Sequence, residues 1–412
     1  MSGWFARAAG WAVSHRTKLP RWTQRLMESA ARNPDGFVGR IAGRLLGGGG
    51  PAPTTSVPDA GTRVYIAPTN YAGQGFRWAR ALEEFGTDIA ARNAAIELPG
   101  GFAFPADTLV PIASVNASGE WAEAEWEAAR QFTHVLVEAE RPMFGKRFQR
   151  DLAAEIAALG DAGVSVAFLC HGTDIRDPER HAELTPWSMY PEDPRTAQLQ
   201  ADARANAALI ASFDVPVFIS TPDLVADVPN AHWCPVVVDV ERFRAPVSPS
   251  FSGRPLRIAH APSDPLVKGS NYIEPALAPL IASGAVEYTL ITGTPSALMP
   301  AAFAAADVVI DQFRAGSYGV AACEAMAAGR VVIGHVMPFA REYVRAQSGL
   351  ELPIVEATPD TLLAVVEELL ADPVRAQRIA ADGPEFVEGV HSGRLSAGTL
   401  IEHWITDTGT AE

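Results

Sequence analysis

From Arg63 onward, short β-branched runs alternate with segments of helical spacing, and polar or glycine residues gather just past each run. Val64-Tyr65-Ile66, Val135-Leu136-Val137, Val164 to Leu169 and Val217-Phe218-Ile219 form a first series. Each is short and largely apolar, as expected of a strand covered on both faces in a parallel sheet. Helices are expected over Phe76 to Phe85 and from beyond Gly145 to Gly160. A second series begins at Leu256-Arg257-Ile258-Ala259 and continues through Tyr288 to Ile291, Val308-Val309-Ile310, Val331-Val332-Ile333 and Pro353-Ile354-Val355. Its helices are expected over Asn271 to Ala282 and around Leu362 to Leu370. Such alternation predicts an α/β fold that binds ligands at the carboxyl ends of its strands.

Two series imply two domains, and 412 residues exceed the roughly 250 to 300 at which a single core stops growing. The expected layout is a basic arm and linker over 1–58, a Rossmann-like acceptor domain over 59–239 and a Rossmann-like donor domain over 240–392. Residues 393–412 are expected to form a helix packing back on the first domain. Pro235 to Pro255, rich in proline, arginine and serine, is the expected inter-domain linker, and GGGGPAPTTSVP from Gly47 to Pro58 frees the arm from the body.

The chain carries a net charge of −15, which argues against nucleic acid as the main partner. The charge is unevenly spread. Residues 1–50 hold eight Lys or Arg against Glu28 and Asp35, a net +6, leaving −21 on the remainder. Trp4, Phe5, Trp11, Trp22, Leu26, Ile41 and Leu45 lie on short apolar stripes flanked by arginine, a pattern suited to an anionic membrane surface. The alternative is a tail that is partly disordered or packs its stripe on the body. Three cysteines, Cys170, Cys234 and Cys323, lack metal-ligand spacing and fit a reduced cytoplasmic setting. No apolar run reaches the ~18 residues of a membrane span. The expected location is cytoplasmic, with the arm as a candidate peripheral contact on the inner face of the membrane.

The stretch GSYGVAACEAMAAGRVVIG, residues 316 to 334, places a glycine-rich turn before a short helix that carries one carboxylate, Glu324. Gly316 and Gly319 allow close approach of the backbone, and unpaired N–H groups at the helix start attract a phosphate. Glu324, about one and a half turns in, can accept hydrogen bonds from sugar hydroxyls. Upstream, HAPSDPLVKG ends in Lys268-Gly269, where an ammonium can reach a diphosphate and a glycine permits the turn into the next helix. Otherwise Lys268 is a solvated lysine at a helix start.

These motifs resemble the donor site of the retaining GT-B-fold nucleotide-sugar glycosyltransferases often called group 1. There a glycine precedes an EAMA-type helix, as Gly319 precedes Glu324-Ala325-Met326-Ala327 here. The resemblance implies two Rossmann-like domains facing a cleft. It also implies a nucleoside diphosphate sugar as donor, retention of configuration, and no metal or other cofactor. Lys268 would contact the diphosphate and Glu324 the ribose, with Ser263, Gly293 and Gly316 also in the donor set. Ser317, Tyr318 and Gly319 would complete it. The chain departs twice from the pattern: Gly316 stands where the family has a first glutamate, and Ser263-Asp264-Pro265 where it has an arginine.

His171, at the end of a strand in HGTDIR, resembles the family histidine that faces the transferred sugar, although a lone histidine is more often structural. Asp174 and Arg176 are candidates to orient it or to meet the acceptor. Gly73-Gln74-Gly75 after the first strand is a candidate acceptor or phosphate loop. Glu138 and Glu140 are candidates for acceptor hydroxyls, with solvated surface positions the plainer expectation. Together these point to a glycosyltransferase acting on a hydroxyl acceptor (glycan, lipid-linked or small molecule), as in polysaccharide biosynthesis. The rivals are a catalytically silent sugar-nucleotide-binding or assembly protein and, with fewer supporting residues, a nucleotide-sugar epimerase.

Overall fold

The computed structural model describes residues 52–98 and 104–406, so the arm and its expected membrane contact lie outside the described residues. The chain divides into two compact units, 1–169 and 170–412. Its strands form two parallel sheets, of seven and five strands. Among the described residues no helix is long and apolar enough to cross a membrane, and no group of three or more His, Cys, Asp or Glu could hold a metal.

In the first unit the strand order is β3 (Thr108–Pro111), β2 (Ile89–Glu97), β1 (Thr62–Ala67), β4 (His134–Glu138), β5 (Ser165–Cys170). Val64 lies opposite Ala91 on one side and His134 on the other, and Leu136 opposite Ala167. Successive strands therefore leave β1 in opposite directions, which opens a crevice at its carboxyl end. Helix α1 (Gln74–Phe85) starts there and buries Trp78 and Leu82. Helices α2 (Gly119–Ala129) and α3 (Leu152–Asp161) are each capped by a side chain, Ser118 and Asp151 accepting from the Trp121 and Ala154 amides.

The second unit carries β6 (Val217–Ile219) and β7 (His232–Trp233), and a five-stranded parallel sheet. Its order is β12 (Ile354–Glu356), β11 (Val331–Gly334), β10 (Val308–Ile310), β8 (Leu256–His260), β9 (Val286–Leu290). The unit also holds α4 (Thr196–Ala211), the single turn α5 (Pro265–Lys268), α6 (Ser270–Ala282) and α7 (Val320–Ala327). Helices α8 (Leu362–Ala371) and α9 (Pro373–His391) follow. Ile258, Ile273, Leu277, Ile310, Ile333 and Val366 belong to one core cluster between strands and helices. Gly383 in α9 has no room for a Cβ, which would lie 2.9 Å from the Met326 carbonyl oxygen, so α9 lies hard against α7. The proline-rich stretch after β7 is fastened within this unit. Val238 N donates to His391 O at 2.8 Å, and Ser396 Oγ to Pro235 O at 2.8 Å. At the chain's last described turn, Trp404 meets Phe218 and His403 stacks on His232 at 3.7 Å.

The edge of this sheet away from the strands' carboxyl ends is held by Asp307, whose buried carboxylate accepts from Arg254 at 2.7 Å and from Arg257 at 3.1 Å. It also accepts from the Ser250 and Arg257 amides. Burial alone would raise its pKa, but these donors outweigh burial and hold it at about 2. A depressed carboxyl contributes stability above its unfolded value, and that contribution is lost as pH falls through the folded one. Asp307→Asn is therefore expected to lower the unfolding free energy at pH 5 by on the order of 2 kcal/mol. Urea titrations should show that gap closing between pH 4 and pH 2, and a gap independent of pH would contradict this account.

Candidate functional site

The site in the second unit is built where β10 ends. Residues 311–318 are all buried, and Gly319 then opens α7 as its N-cap, with no side chain capping the helix. Lys268, the last residue of α5, points its Nζ at Asp311 Oδ1, 2.5 Å away, with both side chains buried. Asp311 Oδ2 accepts from the Gly319 amide at 3.4 Å. A Cβ on Gly319 would stand 3.7 Å from Lys268 Nζ. The ammonium thus lies at the positive end of α7, two cationic elements side by side. Asp311 was not singled out in the sequence, although it obeys the same signal as the others, a polar residue directly past a strand.

Gly316 explains why a glutamate is absent there. Its φ is +68°, and a Cβ would lie 2.5 Å from Met337 Cε and 2.9 Å from Met337 Cγ. The backbone favours glycine and Met337 fills the space a side chain would use. Ser317 is buried, and its hydroxyl has no hydrogen-bond partner among the described residues, while its carbonyl accepts from Gln312 Nε2 at 2.6 Å. Tyr318 turns away from this surface into the core, where its ring meets His391 edge-on. His391 Nδ1 donates to the Val236 carbonyl at 2.8 Å, so Nε2 is left to accept from Tyr318 OH at 3.2 Å. Burial holds His391 neutral, lowering its pKa to about 4, and pushes the Tyr318 phenol well up. Glu324 is half-buried on α7.

The other donor candidates lie on loops past neighbouring strands. Ser263 is exposed beyond β8, and Gly293, with φ +65° and open space around it, is exposed beyond β9. Asp264 is the N-cap of α5, accepting from Leu266 N at 2.9 Å and Val267 N at 3.4 Å, with Pro265 at the first helical position. That local job accounts for the aspartate and the proline at these two positions.

His171 and Asp174 form a separate constellation at the end of β5. Asp174 directs its carboxylate at the backbone, accepting from His171 N at 2.7 Å and from Gly172 N. Arg176 donates twice to Asp223 Oδ2, at 2.9 and 2.6 Å, a buried ion pair. A Cβ on Gly172 would sit 3.4 Å from Arg176 Nη1, so the guanidinium supports the turn that carries His171.

In the first unit, Gly73 has φ +77° and Gln74 is buried at the start of α1. A Cβ on Gly75 would lie 2.4 Å from Asn93 Nδ2 and 2.9 Å from Glu138 Oε2, so glycine is dictated by packing. The expectation of solvated surface carboxylates is corrected here. Glu138 is wholly buried and Glu140 is 6% exposed, because β4 ends inside the fold and turns through left-handed Ala139 (φ 56°) and Glu140 (φ 50°). Such conformations are uncommon in residues with a side chain and cluster at functional sites.

No protein-family model and no curated protein matches the chain. Solved structures do. A sucrose-phosphate synthase from Thermosynechococcus elongatus superposes with a TM-score of 0.54 at 12% identity, covering 83% of this chain and 98% of that one. Anabaena HepE in complex with UDP and glucose gives 0.51 at 11%, over 82% and 97%. A glycosyltransferase from Rickettsia africae gives 0.50 at 11%, over 84% and 98%. The fold is therefore the α/β GT-B fold of these proteins.

Gly316→Ala is expected to cost about 1–3 kcal/mol of stability through its left-handed φ and the Met337 clash. Adding Met337→Ala should recover the steric part, so a double-mutant cycle in urea should show favourable coupling. Strict additivity would mean Met337 does not shape this position.

Proposed function

We propose that the protein is a glycosyltransferase that moves a sugar from a nucleoside diphosphate sugar to a hydroxyl acceptor. One observation carries the reading: Lys268 Nζ lies beside Gly319, the N-cap of α7, and Asp311 accepts from both the ammonium and the Gly319 amide. A leaving diphosphate gathers charge as the glycosidic bond breaks, and a preset ammonium with helix amides stabilises that charge without a metal. Asp311 orients the ammonium, and Ser317 adds a buried hydroxyl at the same turn. Glu324 would take the ribose hydroxyls. His171, on a turn fixed by Asp174 and Arg176, would face the sugar, and the Gly73–Gly75 loop with Glu138 would serve the acceptor. Retention of configuration belongs to the same proposal and rests on the family resemblance.

A binding protein without turnover is favoured by one contact, the 2.5 Å pairing of Lys268 with Asp311, since an ammonium already neutralised by that carboxylate has less charge to offer a leaving diphosphate. Both readings are tested with a panel of nucleotide sugars that includes UDP-glucose. For an enzyme, donor turnover should be measurable, and Glu324→Ala should raise KM. Lys268→Ala combined with Asp311→Asn, which leaves no unpaired buried charge, should lower kcat/KM by on the order of 10²-fold. Tight nucleotide binding without turnover across acceptors would identify a binding protein, and neither binding nor turnover would sink both readings.

A further inference from the structure

Arg314 lies two residues before Gly316 in the donor loop, and it makes four hydrogen bonds, none of them to the loop. Nε donates to Trp187 O at 3.2 Å and Nη2 to Ser188 O at 2.9 Å. Nη1 and Nη2 reach the Glu192 carboxylate at 3.0 and 2.9 Å. The guanidinium also lies over the Tyr272 ring, 5.9 Å from its centroid. Arg314 is 2% exposed, whereas the Glu192 side chain is 53% exposed.

A second tie lies next to it. His181 Nε2 donates to the Ala315 carbonyl at 3.1 Å, while its Nδ1 accepts from Ser188 Oγ at 2.8 Å. Residues 181–192 thus grip positions 314 and 315. On its other side the loop is held by its own sheet and the chain beyond it. Met337 N donates to Gly316 O at 3.0 Å, and His335 N to Gln312 O at 2.8 Å. Glycines at 316 and 319 would otherwise leave this loop many conformations to lose when a ligand binds.

We infer that Arg314 is a positioning residue, clasped by segment 181–192, that presets the Gly316–Gly319 loop and so sets the affinity for the nucleotide sugar. Arg314 is buried and its N–H groups are engaged with Trp187, Ser188 and Glu192, so its effect reaches the donor through the loop. Preorganisation of this kind acts on binding by cutting the ordering cost. The inference rests on the donor reading above, and its test separates the two.

Hydrogen–deuterium exchange of the full-length protein, without ligand, reads the clasp directly. In Arg314→Ala, amides 315–319 should exchange about tenfold faster or more, while those of β8 and β10 stay unchanged. With a nucleotide-sugar donor, KM should rise more than kcat falls, and Arg314→Lys, which keeps the charge without the fork, should restore only part of either. Should Arg314→Ala unfold, Glu192→Gln weakens two of the four bonds and should quicken the same amides by a smaller factor. Unchanged loop exchange in a folded variant, or a fall in kcat at constant KM, overturns the inference. Faster loop exchange in a protein that neither binds nor turns over any nucleotide leaves the clasp standing and removes the donor reading.

Discussion

The buried Lys268–Asp311 pair is the constraint around which the second unit is arranged. Neither charge tolerates burial alone, and removing one partner of such a pair typically costs about 3–5 kcal/mol. Lys268 follows β8 and Asp311 follows β10, strands that are neighbours in the sheet. The pair therefore fixes how the two strand exits meet. It also explains the local sequence: a capped single turn with Asp264 and Pro265 delivers the lysine, and Gly269 with φ +73° turns the chain away at once.

Much of the fold was legible because its signals are local. The β-branched runs at Val64, Val135, Val217, Val308 and Val331 all became strands, and Gly329, with φ +67°, follows the end of α7. What escaped was composition without pattern. Strand β2, Ile89–Glu97, holds four alanines with Arg92 and Asn93 between Ile89 and Ile96, so it shows no continuous β-branched run. Helix α4 buries only Ala203 and Ile210, so its sequence shows no apolar stripe.

The candidate site divides along the same line. The turn at Lys268-Gly269 and the helix start at Gly319 could be read from spacing, since both are short-range objects. Tyr318 could not be placed. Its partner His391 lies 73 residues away, and nothing nearby distinguishes a ring that faces a ligand from one that turns into the core. Glu138 and Glu140 failed for a related reason: acidic residues are surface residues by habit, and only the buried end of β4 and the left-handed turn after it place them inside. Arg314 is invisible for the same cause, its contacts being 122 to 127 residues distant.

The close approach of α9 at Gly383 has a consequence for how this protein can diversify. With its back pressed against another helix, α7 has Ala322, Cys323, Ala325, Met326 and Ala327 buried and leaves only Val320, Ala321 and Glu324 partly open. Variation at the buried positions is answered by collision or a void, so it is tested first against folding. A lineage, or a directed-evolution library, that retunes ligand choice along this helix has three letters to write with.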